Sequence, residues 1–338
     1  MNRNTKILAA VLLVLGLSYW LISKRPLRTS NRAVGDFSIE DTSLVSKIFM
    51  ANKSGKKVLL ERNANNTWMV NGKILADEVK IKLLLSTLHD MQIQKPIPSS
   101  MHNTAMGILA SRGIKTEIYQ GDKLLKTIYV GSETPEQTGT FMLLEGDDEV
   151  YSIHIPGFIG YLTPRFFMTE IKWRNKLIFD VAPENIAEVQ ISYPKNEKES
   201  FTFLKEPFTK QSTILNYNGD LVRADTLKIK MLLYSFTQKY AEGFYDDSTF
   251  TKTERDSVLS LVPYCTIRVK QTNGMEQNIA LYSKLVGEKT KDRYDENGKE
   301  LVIDPEKYYA KLTDIEQMAS VQDYVFRRIL VKASDLLK

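Results

Sequence analysis

The chain has 338 residues, enough for two ordinary domains, and its 43% apolar and 26% charged residues place it among folded globular proteins. Its 46 basic and 41 acidic residues are interspersed, with a net charge of only +5, so no concentrated basic face or arm speaks for nucleic acid. The single cysteine, Cys265, excludes an intrachain disulfide and a thiolate metal cluster.

After a six-residue tail, Ile7 to Ile22 carries no charge and is flanked by Arg3 and Lys6 before it and Lys24 and Arg25 after it. With Ser23 it would span about 25 Å as a helix, slightly short of a ~30 Å hydrocarbon core that snorkelling Lys and Arg can make up. Ile7, Leu12, Leu15 and Ile22 supply its apolar body, and Tyr19 and Trp20 suit the interface. No small-x-small cleavage site and no lipid-bearing cysteine follow, so an uncleaved transmembrane anchor over residues 7–23 is expected rather than a signal peptide. Four basic residues follow the run and two precede it, which by itself would keep the body cytoplasmic; the short tail instead fits a signal anchor, and long domains translocate largely regardless of charge. The expected address is the inner (cytoplasmic) membrane, single-pass, with an extracytoplasmic (periplasmic) body. Residues 24–38, polar and with Pro, Ser, Asn and Gly, read as a tether.

The body opens with strand patterns at Val45–Met50, Val58–Arg62 and Trp68–Val70, the last leading to Asn71-Gly72, a hairpin signal because both residues tolerate positive φ. Asp77 caps a predicted helix to about His89 with Val79, Leu83 or Leu84, Leu88 and Met91 as its apolar stripe. Strands follow at 116–119, 126–130, 140–144 and 149–153.

The same order then recurs. Ala76-Asp77-x-x-Lys80-Ile81-Lys82-x-Leu84-Leu85 returns 148 positions later as Ala224-Asp225-x-x-Lys228-Ile229-Lys230-x-Leu232-Leu233, and Asn218-Gly219 stands upstream as Asn71-Gly72 does. Strand patterns at 186–191, 200–204, 214–217, 266–269, 278–282 and 300–303 surround a second helix with the stripe Leu227, Met231 or Leu232, Phe236 and Tyr240. Leu301–Pro305 reads as the counterpart of the closing Ile153–Pro156, and Lys-Ile-Lys as the solvated side of each helix. A repeat of this length is a domain-sized unit. The expected fold is α+β: one transmembrane helix, then two tandem similar units of antiparallel sheet with one packed helix each, over residues 39–173 and 174–338.

No catalytic motif competes with this architecture. His89, His102 and His154 are dispersed, without the convergence zinc needs, and His89 suits a helix C-terminus. Asp147-Asp148 and Asp246-Asp247 read as solvated turns. Asp295-Glu296-Asn297-Gly298 has Arg293 where a calcium loop needs its first acid, so a hairpin turn is expected there. Cys265 lies in a strand pattern and reads as an inert buried thiol. Gly-x-Gly-x-x-Gly, the phosphate loop and Gly-x-Ser-x-Gly are missing, so no catalytic residue, metal or cofactor is expected.

In Trp68-x-x-Asn71-Gly72, Ala76-Asp77 with Leu84 and Leu85, Tyr129-Val130-Gly131 and Arg174-x-Lys176-Leu177-Ile178-Phe179, the chain resembles domain-of-unknown-function family 4340, over about residues 39–330. The resemblance implies a membrane-anchored envelope protein, associated with auxiliary subunits of gliding-motility-type ABC transporters, and brings no catalytic residues; any ATPase would be another chain.

Phe158, Ile159, Tyr161, Leu162, Phe166 and Phe167, with Trp173 behind them, crowd the junction of the two units. They read either as inter-unit core or as an exposed surface for a partner. The functional expectation is a non-catalytic binding or assembly subunit of an envelope complex, with membrane and a protein partner but no nucleic acid. The rival is an envelope hydrolase or ligand-binding protein with a carboxylate-lined cleft between the repeats. Residues alone name no small-molecule ligand.

Overall fold

The computed structural model describes residues 37–205, 212–287, 290–313 and 315–336. The expected anchor at 7–23 lies outside them; among the described residues no helix is long and apolar enough to cross a membrane.

The first set of elements is β1 (Lys47–Asn52), β2 (Lys57–Arg62), β3 (Trp68–Val70), β4 (Ile74–Leu75), α1 (Glu78–Asp90), β5 (Gln92–Pro96), α2 (Ser99–Arg112), β6 (Ile114–Gln120), β7 (Lys123–Glu133), β8 (Thr140–Leu144) and β9 (Tyr151–His154). A connecting stretch holds α3 (Glu170–Trp173) and β10 (Leu177–Phe179). The second set is β11 (Ile186–Ser192), β12 (Phe201–Lys205), β13 (Ser212–Asn216), β14 (Leu221–Val222), α4 (Thr226–Tyr234), β15 (Lys239–Tyr240), β16 (Gly243–Phe244), α5 (Lys252–Leu259), β17 (Cys265–Gln271), β18 (Glu276–Leu285), β19 (Ile303–Leu312) and β20 (Ala319–Gln322), followed by α6 (Asp323–Phe326) and α7 (Ala333–Leu336).

Among the described residues the fold is α+β, with two nine-stranded antiparallel sheets and the short antiparallel pair β10–β15. The first runs β4-β3-β2-β1-β6-β7-β8-β9-β5 and the second β14-β13-β12-β11-β17-β18-β19-β20-β16, the same order strand for strand. In each, a strand between the two longer helices, β5 or β16, sits at the edge against the last strand. By compactness the chain divides into one unit of residues up to Gly55 with Leu83–Phe166, and another of Lys56–Lys82 with the residues from Phe167 onward.

Several expectations are corrected. Each set has two longer helices, not one. In α2 only Ala105 and Leu109 are buried, against Phe141 and Val150, so it has no wide apolar stripe to advertise it. Helix α5 buries no residue and is held at its start by the Thr251–Glu254 capping box. The predicted stripes hold in part: Leu84, Leu88 and Met91, and Leu232 and Phe236, are buried. Helix α1 buries Ile81, Leu84 and Leu88 and leaves Val79 and Leu83 exposed; α4 buries Ile229, Leu232 and following Phe236 and exposes Leu227 and Met231. Both helices carry two apolar faces, and the wider i, i+3, i+7 face is the one buried. Tyr240 is likewise exposed.

Residues 301–305 do not close the second sheet. That strand is β20; Ile303 opens β19, the counterpart of β8, and Pro305 disguises its continuation to Leu312. The tether is shorter than expected at its end: Phe37 is buried edge-on against Tyr151, ring centroids 5.8 Å apart, and Lys126 donates to the Ser38 carbonyl at 2.8 Å.

Candidate functional site

The crowded apolar stretch splits by environment. Phe158 and Ile159 are exposed, Ile159 at 92%, while Leu162 and Phe166 are buried. The Leu162 N–H donates to Thr140 Oγ1 at 2.6 Å, Thr163 donates to the Gly131 carbonyl at 2.6 Å, and Arg165 donates to Thr87 Oγ1 at 2.9 Å. Arg165 also covers the Phe158 ring at 4.3 Å. Tyr161 and Phe167 are half-buried. Trp173 is fully buried, edge-on to Phe167 at 5.2 Å, its indole donating to the Phe167 carbonyl at 2.7 Å. Leu162, Phe166 and Trp173 are therefore core, and in this stretch the exposed large apolar residues are Ile159 and Phe158, the latter partly under Arg165.

The repeated Ala-Asp-x-x-Lys words have a structural task that the sequence reading missed. The Asp77 N–H donates to the Trp173 carbonyl at 2.6 Å, and Lys80 Nζ donates to the Lys172 carbonyl. In the second copy the Asp225 N–H donates to the Leu336 carbonyl at 2.9 Å, and Lys228 Nζ donates to the Asp335 carbonyl at 2.6 Å. Each clasp thus holds the C-terminal end of a short helix, α3 or α7, where unpaired carbonyls favour a cation. Three of the four lysines match the solvated reading: Lys82 is exposed and pairs with Glu78 at 3.3 Å, and Lys228 and Lys230 are exposed, while Lys80 is half-buried. The isoleucine between them is core.

Beside the clasps the two helices leave equivalent apolar side chains uncovered: Val79 and Leu83 on α1, and Leu227, Met231 and Tyr234 on α4. A groove of about 420 Å³ runs along α4 and α7, with Met231, Leu232, Val331 and Leu336 as its apolar lining and Lys228 and Arg328 as cations. In the other unit a hollow of about 370 Å³ is lined mainly by Met106, Leu109, Ala110, Tyr129 and Leu143.

A cavity of about 250 Å³ with several charged lining residues lies at the β16 edge of the second sheet. Its wall is an irregularity in the β18–β19 ladder. Ser283 pairs with Tyr308 and Leu285 with Ile303, so the single residue Lys284 faces four residues, 304–307. This bulge brings Asp304 and Lys307 beside Lys284. Lys307 donates to Glu242 Oε1 at 2.6 Å and Ser320 donates to Glu242 Oε2 at 2.7 Å. Burial pushes the Glu242 carboxyl up, but these hydrogen bonds outweigh it and hold the group below the usual carboxylate range. Lys307 is raised by the same bond. Asp304 is buried and accepts from Thr290 Oγ1 at 3.1 Å and the Glu306 N–H at 2.9 Å.

A family model described as a domain of unknown function (DUF4340) matches residues 68–257, more than half of the chain. The chain belongs to this family. No curated protein and no solved structure matches it. The DUF4340 match is narrower than the residues 39–330 of the sequence resemblance; it opens at β3 and ends within α5, and so contains both clasp words. It attaches no chemistry to them.

The remaining titratable candidates of this DUF4340 chain have local tasks. Asp246 caps the turn at Ser248 and Thr249, and Asp295 folds the hairpin turn that the Tyr294–Glu300 bridge closes. His89 lies 2.7 Å from Asp90. Cys265 is fully buried, and burial pushes its thiol up to about 12. Among the described residues no group of three or more His, Cys, Asp or Glu is placed to hold a metal ion.

Proposed function

We propose that this protein is a non-catalytic binding and assembly subunit of an envelope complex, anchored in the inner membrane by residues 7–23, with an extracytoplasmic body of two tandem repeats. The family resemblance adds the expectation of an ABC transporter of the gliding-motility type as its neighbour. The observation that carries the reading is the uncovered apolar face of α4, Leu227, Met231 and Tyr234, echoed by Val79 and Leu83 on α1. Large side chains at successive helical turns without cover are the usual mark of a contact surface.

Cross-linking in native membranes followed by purification tests this. The expected result is a stable protein partner whose recovery falls when Leu227→Asp and Met231→Asp are combined. A clean monomer after cross-linking overturns the assembly role. A topology reporter fused after Lys338 tests the address; cytoplasmic reporter activity overturns the extracytoplasmic body.

One observation favours the rival reading of a ligand-binding protein. The carboxylates of Glu242 and Asp304 line one small cavity with two lysines, although that cavity belongs to the second sheet alone.

A further inference from the structure

We propose that the cavity of Lys284, Asp304 and Lys307 is a binding site for a small zwitterion, an α-amino acid or a compound with the same adjacent ammonium and carboxylate.

Two charged groups of this cavity, Lys284 and Asp304, make no direct ion pair among the described residues. Lys307 is committed to Glu242, and Glu242 is filled by Lys307 and Ser320. Lys284 has no carboxylate within ion-pair distance among the described residues; its ammonium lies 5.8 Å from the centroid of the Tyr309 ring. It shares the bulge with Lys307, and like charges facing each other across a ladder are unfavourable. Asp304 is only 2% exposed, yet its hydrogen-bond donors, a hydroxyl and a main-chain N–H, are both uncharged. Buried carboxylates are ordinarily matched by a cation. The cavity therefore offers one cation and one anion that make no direct ion pair among the described residues, although Lys284 also acts on Glu242 and Asp304 on Lys307 through space. A ligand carboxylate at Lys284 and a ligand ammonium at Asp304 would satisfy both, and would also separate the two lysines. A volume of about 250 Å³ is below the common range of pockets for drug-sized ligands and suits a molecule of a few heavy atoms. Phe244 and Tyr245 leave an apolar wall for a short side chain.

The first sheet provides an internal comparison. Ser152 pairs with Lys95, and Ser320 with Gly243; each serine donates at 2.7 Å to the residue before its pair, Gln94 in one copy and Glu242 in the other. Thr140 pairs with Ile153 as Tyr308 pairs with Val321, so Gly139 takes the place of Lys307. A Cβ on Gly139 would meet Ser152 Oγ at 2.1 Å and Gln94 Oε1 at 2.9 Å. The first copy is thus neutral and closed where the second is charged and open. The ladder irregularity also differs: Val130–Met142 and Glu133–Thr140 leave two residues of β7 against one of β8. The four-residue bulge and its charges belong to the second copy.

Isothermal titration of the full purified chain with glycine, L-alanine, D-alanine and L-serine tests the site, with acetate and methylammonium as the two half-ligands. Saturable binding of at least one amino acid, with neither half-ligand saturating below about 10 mM, is expected. Lys284→Gln, at a half-buried position outside the Glu242 pair, should weaken that binding at least about tenfold while leaving the circular dichroism spectrum unchanged. Asp304→Asn should do the same if it folds. Absence of saturable binding by all four amino acids, acetate binding as tightly as they do, or unchanged affinity in Lys284→Gln would each overturn the proposal. Partner recovery by cross-linking is a separate readout, so failure here and failure of the assembly role are distinguishable.

Discussion

Lys228 reaches across from α4 to the main-chain carbonyl of Asp335, as Lys80 reaches from α1 to that of Lys172. With the Asp225 and Asp77 N–H groups on the next carbonyls, the most visible repeated word of the sequence becomes a pair of clasps. Asp225 Oδ1 also accepts the Leu227 N–H at 2.8 Å, so one residue both caps α4 and joins it to α7.

The clasp predicts a contrast between neighbouring lysines. Lys228→Ala should destabilise the protein by about 1 kcal/mol through the lost hydrogen bond. Lys230→Ala, equally exposed but outside the clasp, should stay within about 0.5 kcal/mol. Urea unfolding of the two variants checks this; equal effects would remove the clasp from the account.

Two glycines near the end of α2 should respond with opposite sign. A Cβ on Gly113 would lie 2.3 Å from the main-chain carbonyl oxygen of Leu109, which accepts the Gly113 N–H at the end of the helix. Gly113→Ala should therefore cost about 1–3 kcal/mol. Gly107 is an exposed helix-interior residue with nothing within 4 Å of its Cβ position, so Gly107→Ala should gain about 0.5–1 kcal/mol. Thermal unfolding distinguishes them.

The Glu242–Lys307 pair carries a pH signature. Glu242 has a lowered folded-state value, so its contribution is present above the ordinary value of 4.5 and is lost as pH falls through the folded value. Lys307 has a raised one, so its contribution is present below 10.5 and is lost as pH rises through the folded value. The stability difference between wild type and Glu242→Gln should be largest between these flanks and shrink beyond either. Guanidinium unfolding across pH tests the profile, and a flat difference would contradict it.

Cys265 offers a test of burial in the second sheet. Its thiol is fully covered and pushed up to about 12, so a thiol reagent at pH 8 should leave the native protein untouched and label it completely in guanidinium. Rapid native labelling would mean that β17 opens locally.

Strands with alternating burial, such as Ile114–Gln120 and Cys265–Gln271, were legible because one face of each is core. Helix α5 was overlooked although Thr251-x-x-Glu254 announces its capping box, because its eight residues contain almost nothing apolar. Helix α2 had no comparable stripe. The buried faces of α1 and α4 were legible only in part, at Leu84, Leu88, Leu232 and Phe236, because Val79 and Leu83, or Leu227 and Met231, make an equally regular apolar row that remains outside. The charged cavity was beyond sequence reading. It depends on one residue of β18 facing four of β19, and nothing in Ile303-Asp304-Pro305-Glu306-Lys307 fixes that register.

The edge position of β5 and β16 bears on how the protein is made and trimmed. Each emerges midway through its copy, several strands before the last-made strand with which it pairs, β9 or β20. During synthesis each sheet therefore keeps an orphan edge until its final strand leaves the ribosome. For the same reason, a fragment cut to residues 68–257 would retain β16 while discarding the strand that completes it, and would also lack β1 and β2. Useful fragment boundaries follow the strand order rather than the family match.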